Sequence, residues 1–220
     1  MQSGWPASFR ATATVVVFFG VAMGYLEAVV VVYLRAALGL VELTPTPVLE
    51  PAGFEAYAAI EIAREAATLA MIAAVGWLAG RSWVERLAWA AVVFGTWDIT
   101  YYAGLWITIG WPPALDTWDL LFLIPAPWVG PVWAPVVVSC ALIGFGLAAA
   151  RRFRAGDPVR VGRLAVVLAL AGGAAVVLSF LPDASRVLDG DASPWTGWPA
   201  FWLGLGLALT GAVMTLRRRA

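Results

Sequence analysis

The sequence predicts an all-α integral membrane protein, one bundle of six transmembrane helices with both termini on the cytoplasmic side. Three observations predict it. Of the 220 residues, 62% are hydrophobic and only 13% charged, whereas a soluble domain is about 45–50% apolar and about 25% charged. The same composition excludes intrinsic disorder. Six stretches reach the roughly 20 apolar residues needed to cross a hydrocarbon core of about 30 Å. Read as six spans, they also put most of the arginines on one side of the membrane.

Residues 13–38 make span one. The apolar run is too long for a signal-peptide core, and no small-x-small cleavage site precedes a soluble domain. Gly20 and Gly24 permit close helix approach on the face that also carries Glu27. Residues 40–51 are rich in Pro and Thr and read as an irregular external loop. Span two, residues 55–79, is studded with alanines (Ala63, Ala66, Ala67, Ala70, Ala73 and Ala74 among them) that predict tight packing. Span three covers residues 87–109.

Residues 110–130 carry a run at 119–124 that is far too short to span, and Pro125, Pro127 and Pro131 prevent a continuous helix. Irregular backbone at membrane depth must be buried in protein or line a wet cavity, so this reads as a re-entrant or interfacial segment. Trp111, Trp118, Trp128 and Trp133 suit an interfacial belt. Residues 131–150, 159–181 and 198–216 make spans four to six, with no charge in their interiors. No internal repeat and no soluble domain is visible, so residues 1–220 form a single transmembrane domain.

All 14 basic residues are arginine, and 11 of them (Arg10, Arg81, Arg86, Arg151, Arg152, Arg154, Arg160, Arg163 and Arg217 to Arg219) fall at the termini or in loops of one side. The opposite loops hold Arg186 with Glu42, Glu50, Asp116, Asp183, Asp189 and Asp191. The positive-inside rule then makes both termini cytoplasmic. The arginine clusters read as topology signals and anionic-lipid contacts, not as nucleic-acid sites.

The chain has no His, no Lys and one Cys. Those absences exclude His-ligated haem, His/Cys zinc sites, Ser-His-Asp chemistry, P-loops, Schiff-base catalysis, internal disulfides and iron–sulfur clusters. No cofactor is predicted. A hard divalent ion such as Mg or Ca, on Glu27, Glu61, Glu65 and Asp98, is the metal chemistry left open. Cys140 reads as a small core residue.

Ionisable groups inside a span cost roughly 2.5–3.5 kcal/mol on insertion scales, which makes each a candidate site. Span one holds Glu27, with Arg35 near its outer end. Span two holds Glu61, Arg64 and Glu65 at i, i+3 and i+4, hence on one face. Span three repeats that spacing with Asp98, Tyr101 and Tyr102. A rise of 1.5 Å per residue puts Glu27, Glu65 and Asp98 roughly 15–16 Å below the outer surface, near one level. Asp119 and Trp118, in the re-entrant segment, are candidates to cap the site; the alternative for Asp119 is the N-cap of a short helix. The alternative for Asp98 is a hydrogen bond to Tyr101 or Tyr102. Asp116 reads as solvated and Arg35 as snorkelling to the interface or turning inward.

The acids outnumber the arginines available to them. A buried carboxylate that lacks a partner takes a proton or a cation. The site therefore takes up protons or binds a positively charged species. Three functions fit. One is a proton- or cation-handling small-solute carrier whose site opens to the external side. Another is a membrane-embedded enzyme using carboxylate acid–base or carboxylate–metal chemistry on a lipid or other apolar substrate. The third is a structural or assembly subunit, a homo-oligomer or part of a larger complex, docking through spans five and six by Gly172, Gly173, Gly204, Gly206 and Gly211.

The segments GYLEAVVVVYLR (24–35), EIAREAATL (61–69), FGTWDITYY (94–102) and GWPPALDTWDLLFLIPAPWVGPV (110–132) together resemble an uncharacterised family of bacterial polytopic inner-membrane proteins. The resemblance covers residues 20–139. It implies a bacterial inner membrane and no particular chemistry.

Overall fold

A computed structural model describes residues 8–37, 51–157, 161–191 and 193–217. The helices are α1 (Phe9–Ala37), α2 (Pro51–Ala79), α3 (Trp83–Ile109), α4 (Trp133–Arg154), α5 (Arg163–Ser179), α6 (Ala184–Leu188) and α7 (Trp198–Arg217). Two strands, β1 (Trp118–Phe122) and β2 (Trp128–Pro131), lie between α3 and α4. Among the described residues, four stretches are long and apolar enough to cross a membrane: Phe9–Ala37, Trp133–Arg154, Arg163–Val187 and Trp198–Arg217. α2 and α3 are comparably long, at 29 and 27 residues, and are interrupted by the charges named above. The proposed loop at 40–50 with Glu42 and Glu50, and Arg160, Arg218 and Arg219, lie outside the described residues.

α3 is the hub, with α1, α2 and α4 packed against it. Its start is fixed by Ser82, whose hydroxyl accepts the Glu85 N–H at 3.2 Å. It ends where Gly110 turns left-handed at φ 71°, a conformation that glycine adopts without steric cost. α1 reaches α3 through Gly20 and Gly24. A Cβ on Gly20 would stand 2.9 Å from the Thr96 Cβ, and one on Gly24 would run into the Trp97 carbonyl. The close approach read from those two glycines is therefore present.

The alanines of α2 do not serve the same purpose. Ala63, Ala66, Ala67, Ala70, Ala73 and Ala74 are exposed, and among the described side chains of that helix the buried ones are Glu65, Thr68, Ile72, Gly76 and, at its last residue, Ala79. A Cβ on Gly76 would be 2.7 Å from the Arg86 carbonyl, so glycine sets the α2–α3 separation more tightly than alanine would allow. Cys140 is also corrected: it is exposed, because α4 buries Ala134, Ser139, Gly146, Ala149 and Ala150 on a different face.

The run at 119–124 lies in strand β1 as far as Phe122 and then in the turn of the hairpin, not in a short helix. Trp118 pairs with Pro131, Asp119 with Gly130 and Leu120 with Val129 in antiparallel register, with an irregularity before Phe122 meets Trp128. Proline at 125 and 127 removes N–H donors a helix would need, while pairing with residues 128–131 gives the backbone partners. The bundle is thus helical with one inserted hairpin.

α5 and α7 form a second unit. Gly172 lies against the backbone of Gly204 and Ala208, and Gly211 against Ala165. Three of the five glycines considered for partner docking are buried in this internal contact, while Gly173 and Gly206 face open space. The α5–α7 pair touches the α1–α4 unit mainly at its two ends. At one end the hairpin is tied in by the Val129 N–H on the Phe180 carbonyl at 3.0 Å. There Phe180 stacks on Trp128 and Trp195, and Trp133 meets Trp195, Phe201 and Trp202. At the other end Leu216 packs on the core holding Ala79, Trp89, Ala149 and Ala150, which also receives Phe9. The ends bearing Arg10, Arg81, Arg86, Arg154 and Arg217 therefore gather at one pole of the molecule. Between the two joints, α5 and α7 stand off from α2 and α3 and leave a cavity.

Candidate functional site

The cavity has a volume of about 790 Å³. Its polar wall contains Glu27 from α1, Glu61, Arg64 and Glu65 from α2, Asp98, Tyr101 and Tyr102 from α3, and Asp119 from β1. The predicted residues on four separate elements thus converge, with Trp118 as the exception. Trp118 is buried among α6 and hairpin residues, with the Arg186 guanidinium 5.8 Å above its ring. Trp128, at the start of the second strand and opposite Phe122, lines the cavity instead.

Arg64 holds two acids at once. Its guanidinium pairs with Glu27 across the α1–α2 gap and with Glu61 one turn away on its own helix. Glu27 also accepts the Trp97 indole N–H at 3.0 Å and the Thr68 hydroxyl at 3.1 Å. One carboxylate therefore ties together α1, α2 and α3. The i, i+3, i+4 spacing of Glu61, Arg64 and Glu65 extends to Thr68, so this partner was legible as a fourth member of the same face.

Glu65 points the other way along that face, to the hairpin. Both of its carboxylate oxygens accept the Leu123 N–H, at 2.9 and 3.0 Å. Glu65 is the fifteenth residue of the 29-residue α2, so the hairpin tip meets this helix at its middle. Asp98 accepts the Ser139 hydroxyl at 2.8 Å rather than bonding Tyr101 or Tyr102. The tyrosine hydroxyl one turn away is already engaged, since Tyr102 donates to Asp119 at 2.9 Å. Asp119 is therefore a buried acceptor on a strand and caps no helix. Asp116 is exposed, as expected. Arg35 neither joins the acids directly nor stands alone: its guanidinium lies 4.5 Å from the buried Trp111 ring.

Five carboxyl groups thus share a cavity wall on which, among the described residues, Arg64 is the one basic side chain. Each carboxyl has its own protein donor. Among the described residues no three acids are grouped so as to hold a metal ion. The remaining wall is apolar. It runs from Leu121 and Ile124 of the hairpin past Leu69 and Leu170 to Val84, Val161 and Thr215, close to the arginine-rich pole.

A buried acid at the arginine-rich pole was not singled out in the sequence. Glu85 is 2% exposed and pairs with Arg154, itself 6% exposed, at 2.6 Å. Glu85 also accepts the Arg81 N–H at 2.8 Å and the Trp89 indole N–H at 3.3 Å, while Arg154 reaches the Ala79 carbonyl at 2.9 Å. Arg154 is therefore turned into the protein and is not a lipid contact; Arg152 is paired with Asp157. This network joins α2, α3 and α4 and lies away from the cavity wall.

No protein-family model, no curated protein and no solved structure matches the chain.

Proposed function

We propose that the chain is a six-span membrane protein with its arginine-rich pole in the cytoplasm, and that it is a carrier handling protons or positively charged small solutes. The six spans are α1, α2, α3, α4, the stretch that contains α5, and α7, in a bacterial inner membrane. The hairpin is the re-entrant element, supported by its seat at the middle of α2. One observation carries the functional reading: five carboxyl groups meet on one cavity wall with a single guanidinium. Such a wall has to be neutralised by protons or by a bound cation when it is shielded from water.

In this reading the mouth opens sideways, between α2 and α5 and towards the arginine-rich pole, where the sequence alone suggested an external opening. The Leu123–Glu65 bond lays the hairpin across the cavity's other end, and the apolar wall continues away from it.

The reading is tested by reconstituting the chain in vesicles and following proton and cation uptake. Glu65→Gln keeps an oxygen for the Leu123 N–H and removes the ionisable group. Uptake is expected to fall to the level of empty vesicles while the variant stays folded by gel filtration and circular dichroism. Undiminished uptake in that variant rejects the carrier.

A further inference from the structure

The wall around the acids also bears on what kind of cation enters, an inference that rests on the carrier reading. Phe94, Trp97, Phe122 and Trp128 form a continuous aromatic array on the cavity wall. Phe94 meets Trp97 at 5.3 Å between ring centroids, Trp97 meets Phe122 at 6.1 Å, and Phe122 meets Trp128 at 5.5 Å. The array is joined to the acids, because the Trp97 indole donates to Glu27. A cation beside ring faces and carboxylates is attracted by both.

An inorganic ion needs something else. Mg and Ca require several oxygens converging at about 2.0–2.6 Å. Here Glu65, Asp98 and Asp119 are drawn apart towards Leu123, Ser139 and Tyr102. The volume of about 790 Å³ falls in the range of roughly 300–1,000 Å³ that houses drug-sized molecules. Beyond the rings the wall is aliphatic, so an occupant must bring apolar surface. A second observation points to an occupant. The Trp128 indole Nε1 is buried and has no hydrogen-bond partner among the described residues, although its ring lines the cavity. An unpaired buried donor is uncommon, and a ligand oxygen or aryl face would complete it.

We propose that the cavity binds an apolar organic cation. Its charged centre lies between the Glu27–Glu61 acids and the Trp97–Phe122 rings. Its hydrophobic body lies along the aliphatic wall between α4 and the α5–α7 pair, with an aryl face or oxygen against Trp128. A molecule of this class dissolves in the bilayer and can enter through a lateral gap.

The full chain is reconstituted in nanodiscs and titrated with radiolabelled tetraphenylphosphonium. Saturable binding is expected, displaced by unlabelled phosphonium and unaffected by millimolar magnesium or potassium. Tetraphenylborate, the same shape with the opposite charge, is expected not to compete. Phe122→Ala and Glu27→Gln are each expected to weaken binding by at least about tenfold, the order of one lost desolvated cation–π contact for the first and of one lost charge-assisted contact for the second. Phe122→Ala removes no charge and so covers the case in which Glu27→Gln fails to fold. Absence of saturable phosphonium binding by folded protein overturns the inference, and so does competition by tetraphenylborate equal to that by phosphonium. Proton and potassium uptake in vesicles separates the two readings. Glu65-dependent uptake without phosphonium binding defeats only the organic-cation assignment. Phosphonium binding without uptake or exchange of any cation leaves the site and defeats the carrier.

Discussion

Arg64→Ala is expected to destabilise the protein by about 3 kcal/mol, the lower end of the loss when one partner of a buried ion pair is removed. The lower end applies because the Arg64 side chain is 23% exposed. The substitution leaves Glu27 and Glu61 with no guanidinium between them, and reduces the side-chain link between α1 and α2 to the Thr68 hydroxyl on Glu27. That link matters because α1 and α2 otherwise touch only lightly, each being packed on α3. Arg64→Lys retains the charge but cannot span both carboxylates with a planar fork, so it is expected to recover part of the loss. Unfolding in graded sodium dodecyl sulfate, followed by circular dichroism, measures both. Restoration by the second substitutions Glu27→Gln and Glu61→Gln would confirm that unpaired acids cause the loss.

Glu85→Ala is expected to cost about 3–5 kcal/mol, since it leaves the buried Arg154 guanidinium without its carboxylate. The Arg81 and Trp89 N–H groups lose their acceptor in the same step. Arg154→Ala is expected to be comparably damaging. The two changes made together are expected to cost less than their sum, because each already destroys the interaction the other would lose. The same detergent titration measures this cycle, and strict additivity would show that Glu85 and Arg154 act independently. Neither change touches the cavity wall, so any folded fraction is expected to bind and move cations as the unmodified protein does.

These two ion pairs show where sequence reasoning reached and where it stopped. Glu27, Glu61, Glu65 and Asp98 were legible because charge inside a 20-residue apolar run is costly and therefore conspicuous. Their convergence followed from helical spacing and a rough count of depth. Glu85 and Arg154 were hidden because both sit at helix ends, where charge costs little and is read as solvated or lipid-facing. Only the packing of α3 against α4 buries them. The hairpin was legible as a break, through Pro125, Pro127 and Pro131, but not as paired strands, since pairing depends on register between residues 118–122 and 128–131.

The donors to the acids separate in the same way. Thr68 lies at helical spacing from Glu65 and Arg64, so its place on their face of α2 follows from the chain. Ser139 and the Leu123 N–H come from elsewhere in the sequence, and no local pattern announces them. Cys140 was misplaced because a small apolar residue on a span faces lipid as comfortably as protein. Membrane helices lack the polar outer face that orients their soluble counterparts. The alanines of α2 mislead for a related reason: small residues permit close packing but do not demand it.

A carboxyl-lined cavity that takes up positive charge displaces charge when a cation or a proton is offered, and a solid-supported membrane measures that displacement. Proteoliposomes adsorbed on the sensor are exposed to a step in tetraphenylphosphonium at constant pH, or to a step in pH alone. The wild type is expected to give, on at least one of these steps, a positive displacement into the vesicles larger than that of protein-free vesicles, and Glu27→Gln combined with Glu65→Gln is expected to bring it down to the protein-free level. A folded wild type that displaces no more charge than protein-free vesicles on either step, or a double variant whose transient matches the wild type, would show that the acids take up no positive charge.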